Sequence, residues 1–198
     1  MIQNIEFIMP ELFLVSCVLS LLIICLYVKT KFFSLNSNKI GALILFLTSI
    51  FVLRQEPIFE PVIGGFYSVD NFTSFFKVLL LILSGTILFL SDNYLKKNDL
   101  HIYEFPILIC LSVLGMLIMV SSNDLMVLYI GVEMQSLSLY IIAAFRRDNV
   151  RSTEAGLKYF ILGALSSGIL LYGISLIYGS VGSTQFNVIY DSIMNSKN

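Results

Sequence analysis

The charges of this chain gather at the ends of six long apolar stretches, at about residues 11–28, 38–54, 72–91, 104–121, 123–145 and 155–178. A helix needs roughly 20 apolar residues to cross hydrocarbon, where a segment must satisfy its own backbone donors and acceptors. The pattern predicts an all-α fold: a polytopic transmembrane helix bundle of about six spans, occupying residues 1–198 as a single membrane domain. A mean hydropathy of +0.88 and 57% hydrophobic residues exclude an ordinary soluble domain.

The second stretch is the weakest, because its uninterrupted core, Ile40 to Leu53, is short for a span; Lys39 and Arg54 at its ends can snorkel and lengthen it. Charge asymmetry supports the crossing. With six spans, Lys29, Lys31, Lys39, Lys96, Lys97, Arg146, Arg147 and Arg151 share one side, and only Arg54 and Lys197 face the other. Without the second crossing the same residues divide evenly. The positive-inside rule then puts both termini on the outer side, meaning the intermembrane space or periplasm.

Residues 55–70 carry Pro57, Pro61 and the pair Gly64-Gly65, flanked by Val62, Ile63, Phe66 and Tyr67, which reads as a short hairpin on the outer face. Asp70 or Asn71 is placed to cap the third helix, and Lys77, in that helix's second turn, is expected to snorkel outward. In the sixth helix, Gly163 with Ser167 and Ala164 with Gly168 form a smooth strip suited to close helix contact. Residues 183–198 make a polar tail with too little apolar content to span.

Glu133 sits near the centre of the fifth stretch, ten residues from Asn123, and so about 15 Å deep at 1.5 Å per residue. A carboxylate there costs about 2.5–3.5 kcal/mol even on lenient insertion scales, which marks the position as functional or as half of an interhelix pair. Gln135 is close by, and Ser136 at i+3 shares its face. Desolvation favours the neutral acid and a nearby cation favours the anion. A carboxyl held between the two can bind and release a proton, which makes Glu133 a candidate relay station. Lys158, near the inner start of the sixth helix, is a second candidate; Glu154 at i−4 equally suits an ordinary surface pair with it. His101 and Glu104 fit a solvated loop pair.

Cys17, Cys25 and Cys110 lie inside apolar runs without Cys-x-x-Cys or Cys/His spacing, so buried thiols are expected, with no metal. No Ser/His/Asp set, phosphate-cradling glycine loop or dinucleotide fingerprint is present, and no redox cofactor is expected on this chain. The net charge of −1 leaves no basic face for nucleic acid. The N-terminus, Met1 to Glu11, lacks Arg and Lys and has no cleavage site, so neither a signal nor a transit peptide is expected. Abundant Phe, Ile, Leu, Asn and Tyr, sparse Ala and absent Trp fit an A+T-rich organellar genome. The mitochondrial inner membrane is the expected location, with a bacterial inner membrane as the alternative.

Two segments carry a family resemblance. One is Ser122-Asn-Asp-Leu-Met-Val-Leu-Tyr-Ile-Gly-Val-Glu-Met-Gln-Ser-Leu-Ser-Leu-Tyr140; the other is Ser152-Thr-Glu-Ala-Gly-Leu-Lys-Tyr-Phe-Ile-Leu-Gly-Ala-Leu-Ser-Ser-Gly168. They resemble chain 2 of NADH:ubiquinone oxidoreductase, respiratory complex I, an antiporter-like subunit family related to multisubunit cation/proton antiporters. The similarity is most specific from Glu104 to Thr184. The resemblance implies a proton-translocating, non-redox membrane-arm subunit, with Glu133 in the place of the family's intramembrane glutamate and Lys158 in that of its lysine. NADH, FMN, iron–sulfur clusters and ubiquinone are then expected on other subunits. Expected partners are those subunits, membrane lipids and a separately encoded chain supplying the remaining helices, since longer family members have about fourteen spans. Where the family has Leu-Pro-x-Tyr, this chain has Leu137-Ser138-Leu139-Tyr140, a departure that bears on the kink of the fifth helix. A cation/proton antiporter subunit and a purely structural scaffold are the competing readings.

Overall fold

A computed structural model of the chain describes residues 7–27, 31–62, 64–97 and 103–195. His101, Lys29 and Lys197 lie outside them. Six helices occupy the six apolar stretches: α1 Met9–Tyr27, α2 Lys31–Leu53, α3 Asn71–Lys97, α4 Glu104–Val120, α5 Leu125–Ala143 and α6 Val150–Val181. Five are long and apolar enough to cross a membrane. The exception, α4, has 17 residues, about 26 Å at 1.5 Å per residue. It is apolar all round because it is the central helix, packed against α1, α2, α3 and α5.

Helices α1 and α3 each turn one stripe inward. On α1 the stripe is Leu14, Val18, Leu21 and Cys25, and on α3 it includes Leu81, Leu88 and Leu95, all buried at helical spacing. Leu19, Ile23, Leu83 and Leu90 point away and stay exposed. That distribution suits a surround of lipid, where apolar side chains need no cover.

Helices α4 and α5 approach most closely where Gly115 and Gly131 meet. A Cβ on Gly115 would stand 2.6 Å from the Gln135 backbone nitrogen and 2.7 Å from the Gly131 carbonyl oxygen; one on Gly131 would lie 2.9 Å from the Gly115 oxygen. Small residues let membrane helices touch backbone to backbone, and here both sides use one. Gly115→Ala is therefore expected to push the helices apart at about 1–3 kcal/mol, read as a lowered unfolding midpoint in detergent. Gly168→Ala is the control, since its added Cβ meets nothing within 4 Å. The sixth-helix strip thus divides: Gly163 is crossed tightly by the Tyr140 ring, whereas Gly168 faces open space.

The loop between α2 and α3 contains strands β1 Ile58–Val62 and β2 Tyr67–Val69, paired antiparallel. Gly64 and Gly65, with φ of 69° and 92°, adopt the left-handed turn conformation that glycine tolerates. The hairpin folds over one end of the bundle. Asn123 N donates to Phe66 O and Ser68 N to Ser121 O at the α4–α5 turn, while Gln185 Nε2 donates to Gly64 O beyond α6. Three connections thereby join at this hairpin end. At the opposite, loop end, Arg147 pairs with Glu104 at 3.0 Å, and Asn38 and Lys96 both donate to buried Asp92.

The 183–198 tail holds one further helix, α7 Phe186–Asn195. Its Phe186, Ile189, Tyr190, Ile193 and Met194 fall on one face by helical spacing. At ten residues it is too short to span. A mean over the whole tail hides its amphipathic pattern.

Candidate functional site

Glu133 is the ninth of the 19 residues of α5, a position midway along the helix. The N-cap fixes its height: Asp124 Oδ1 accepts from Met126 N at 2.8 Å and Val127 N at 3.3 Å, and Asp124 Oδ2 accepts from Thr184 Oγ1 at 2.6 Å. No proline interrupts the helix. Ser138, in the family's proline position, donates instead to Met134 O at 3.1 Å, and α5 runs unbroken to Ala143.

Glu133 is half-buried and opens into a groove of about 380 Å³ between α5 and α6. Ser136, Tyr140, Tyr159, Ser166 and Ser167 bring hydroxyls to that groove. Ser136 therefore shares the face of Glu133, as its spacing implies. Among the described residues Glu133 has no hydrogen-bond or ion-pair partner. The arrangement offers an acid beside a track of hydroxyls, which can pass protons through intervening water.

The structure does not bring Lys158 to Glu133. Its ammonium bonds Glu154 Oε1 at 2.6 Å across one turn of α6, and 71% of its side chain is exposed. Its neighbour Tyr159 lines the Glu133 groove and stacks edge-on with Tyr140, ring centroids 4.9 Å apart. Glu104 pairs with Arg147 at 3.0 Å, and the expected pair with His101 lies outside the described residues.

Lys77 overturns the snorkelling expectation. It is 1% exposed and points into the bundle, where Nζ stands 2.7 Å from Glu11 Oε1 and 2.7 Å from Tyr67 Oη. Tyr67 Oη donates in turn to Glu11 Oε1 at 2.6 Å, which closes a triangle, and the ammonium also lies 4.8 Å from the Tyr67 ring centroid. The reason for turning inward is the partner: Glu11, 4% exposed, starts α1 at the level where Lys77 enters α3. A paired ammonium loses less on burial than it would alone in hydrocarbon. The Tyr67 phenol is pushed above its ordinary range, first by burial and then by the Glu11 charge, so it stays a donor at neutral pH. Glu11 Oε2 remains buried without a partner among the described residues. Sequence reasoning passed over this cluster although its signal was present. Antiparallel spans place the start of α1 and the second turn of α3 in one layer, and the two residues have opposite charge.

Cys25 and Cys110 are buried in the apolar core and Cys17 is half-buried; all three are free. Among the described residues no three His, Cys, Asp or Glu side chains gather as metal ligands.

Comparisons with known proteins bear on the family and the fold. Residues 122–198 match the family model described as NADH:quinone oxidoreductase/Mrp antiporter, TM. The chain is 45% identical to the NADH-quinone oxidoreductase subunit N of Pelagibacter ubique over 98% of its own length and 41% of that protein's. It is 52% identical to the Rhodobacter capsulatus protein of the same name over 66% of this chain and 27% of that one. It thus spans about two fifths or less of the length of these curated relatives. A chain of respiratory complex I from Thermus thermophilus, solved with bound aureothin, superposes with a TM-score of 0.69 at 27% identity, over 89% of this chain and 38% of that one. A chain of an archaeal membrane-bound sulfane sulfur reductase superposes at 0.71 and 18% identity over 94% and 39%, a likeness of fold. By its bundle, its matched segment and these relatives, the chain belongs to the NADH:quinone oxidoreductase/Mrp antiporter transmembrane family.

Proposed function

We propose that the chain works in the membrane arm of a complex I-type NADH:quinone oxidoreductase, as part of a proton-translocating subunit without redox chemistry of its own. The observation that carries this reading is the carboxyl of Glu133, without a partner among the described residues, halfway along a membrane-length helix and facing a hydroxyl-lined groove. Moving one proton against 100 mV requires about 2.3 kcal/mol, so a station must alternate between holding and releasing it. Glu133 is suited to hold the proton. Lys158, beside Tyr159, is suited to shift the local field as it exchanges partners, with Glu154 as its resting counter-ion. The open side of the groove fits further helices of the same assembly, carried by this polypeptide or by another. NADH oxidation and quinone reduction belong to other subunits.

In this reading the hairpin end faces the outer compartment and the Arg146–Arg151 end the inner one, by the positive-inside rule. Composition supports the mitochondrial inner membrane; the bacterial relatives support a bacterial inner membrane. The family also includes cation/proton antiporters, which makes a stand-alone antiporter the second reading. Affinity isolation of the chain from native membranes in mild detergent separates the two. The expected result is co-purification of quinone-reducing NADH dehydrogenase activity. Recovery with other antiporter chains and no NADH oxidation would favour the second.

A further inference from the structure

A second groove, of about 520 Å³, continues the α5–α6 seam from the groove of Glu133 toward the loop end, where Glu104, Arg147 and Thr153 line it. Among the described residues Tyr140 is the only one that lines both grooves. Its ring meets two α6 rings edge-on, Tyr159 at 4.9 Å and Phe160 at 5.8 Å between centroids. Those two neighbours fall on opposite sides of it, Tyr159 in the groove of Glu133 and Phe160 in the loop-end groove. The Tyr140 ring therefore stands at the junction. Its hydroxyl lies against Gly163, where a Cβ would overlap it, so glycine is what leaves room for the oxygen.

Glu133, Ser136 and Tyr140 stand at i, i+3 and i+7 on one face of α5. From Ala143, the last residue of the helix, the acid is roughly 15 Å away and Tyr140 only roughly 4.5 Å, at 1.5 Å per residue. Protons pass between groups within hydrogen-bond reach, about 3 Å, so the acid needs stations along that interval. Ser136 already donates its proton to Val132 O at 2.7 Å. The Tyr140 hydroxyl has no hydrogen-bond partner among the described residues, and a phenol both donates and accepts. We propose that Tyr140 is the relay residue through which protons travel between the loop end and Glu133. Water at the loop end gives a proton to the phenol oxygen as the phenol gives its own to water on the Glu133 side, so no charge stays on the ring. Rotation of the hydroxyl resets it. This rests on the proposed proton-translocating role and adds the route by which Glu133 is reached.

The test measures proton uptake per NADH oxidised by the assembled complex in vesicles, with assembly checked on a native gel. Tyr140→Phe keeps the ring and its edge contacts and removes a hydroxyl that bonds no described residue, so assembly is expected to stay intact. The ratio is expected to fall by as much as in Glu133→Gln. Gly163→Ala crowds the hydroxyl off its seat and is expected to reproduce that loss. Gly168→Ala, whose Cβ meets nothing within 4 Å, is expected to leave the ratio unaltered. A ratio lowered in Glu133→Gln and unaltered in Tyr140→Phe overturns this relay and leaves the proposed function standing. An unaltered ratio in both removes the two together.

Discussion

Glu133→Gln in the assembled complex is expected to leave assembly and quinone reduction in place while lowering the protons moved per electron pair by this subunit's whole share. The amide keeps the size and hydrogen-bonding reach of the acid, so the α5–α6 groove retains its shape. What it loses is the ability to take up and release a proton. The measurement is proton uptake into vesicles against NADH oxidised, with assembly checked on a native gel. Pumping at the unaltered ratio would favour the scaffold reading, in which the carboxyl only fills space. Lys158→Met sharpens the result. Its bond to Glu154 is exposed, and such pairs contribute about 0–1 kcal/mol, so a change in pumping at that position reports on charge transfer and not on folding.

Lys77→Met is expected to be the most damaging single substitution for stability. It leaves the Glu11 carboxylate buried without its ammonium, and breaking a buried pair from one side costs about 3–5 kcal/mol. That is a large part of the 5–15 kcal/mol typical of a folded domain. The double variant Glu11→Gln/Lys77→Met removes both charges together and is expected to recover most of the loss. The contrast appears in thermal unfolding in detergent and in the yield of assembled complex. If the single variant were as stable as the unaltered protein, the triad would contribute nothing to holding α1, α3 and the hairpin together. If the double variant were as damaged as the single, the loss would come from packing and not from charge.

Both predictions concern charged residues in apolar helices, yet the sequence spoke clearly about only one. Glu133 could be placed by counting, because depth along a helix is a local property and its neighbour Ser136 follows from the helical period. Lys77 could not be treated the same way. Read along its own helix it lies within reach of the interface, and a lone lysine there would snorkel. Its burial follows from Glu11 and Tyr67, which are 66 and 10 residues away in sequence. The close approach of Gly115 to Gly131 was hidden for a related reason. Glycines are frequent in membrane helices, and only a second glycine at the same height on a facing helix turns one into a contact. Gly163 and Gly168 show the reverse case, since two similar residues on one helix meet opposite surroundings.

The apolar stretches by themselves determined the six helices of the bundle, their rough limits and the all-helical class, because an apolar stretch of that length satisfies its own backbone in hydrocarbon as a helix. The hairpin was equally local, fixed by two glycines able to adopt positive φ. Tertiary structure alone decided which charges meet. It turned Lys77 inward to Glu11, tied Lys158 to Glu154, left Glu133 facing a hydroxyl-lined groove, and paired Arg147 with Glu104. The physical reason is that a charge in a low-dielectric surround is governed by what lies within a few ångströms across neighbouring helices, and sequence order does not record that distance.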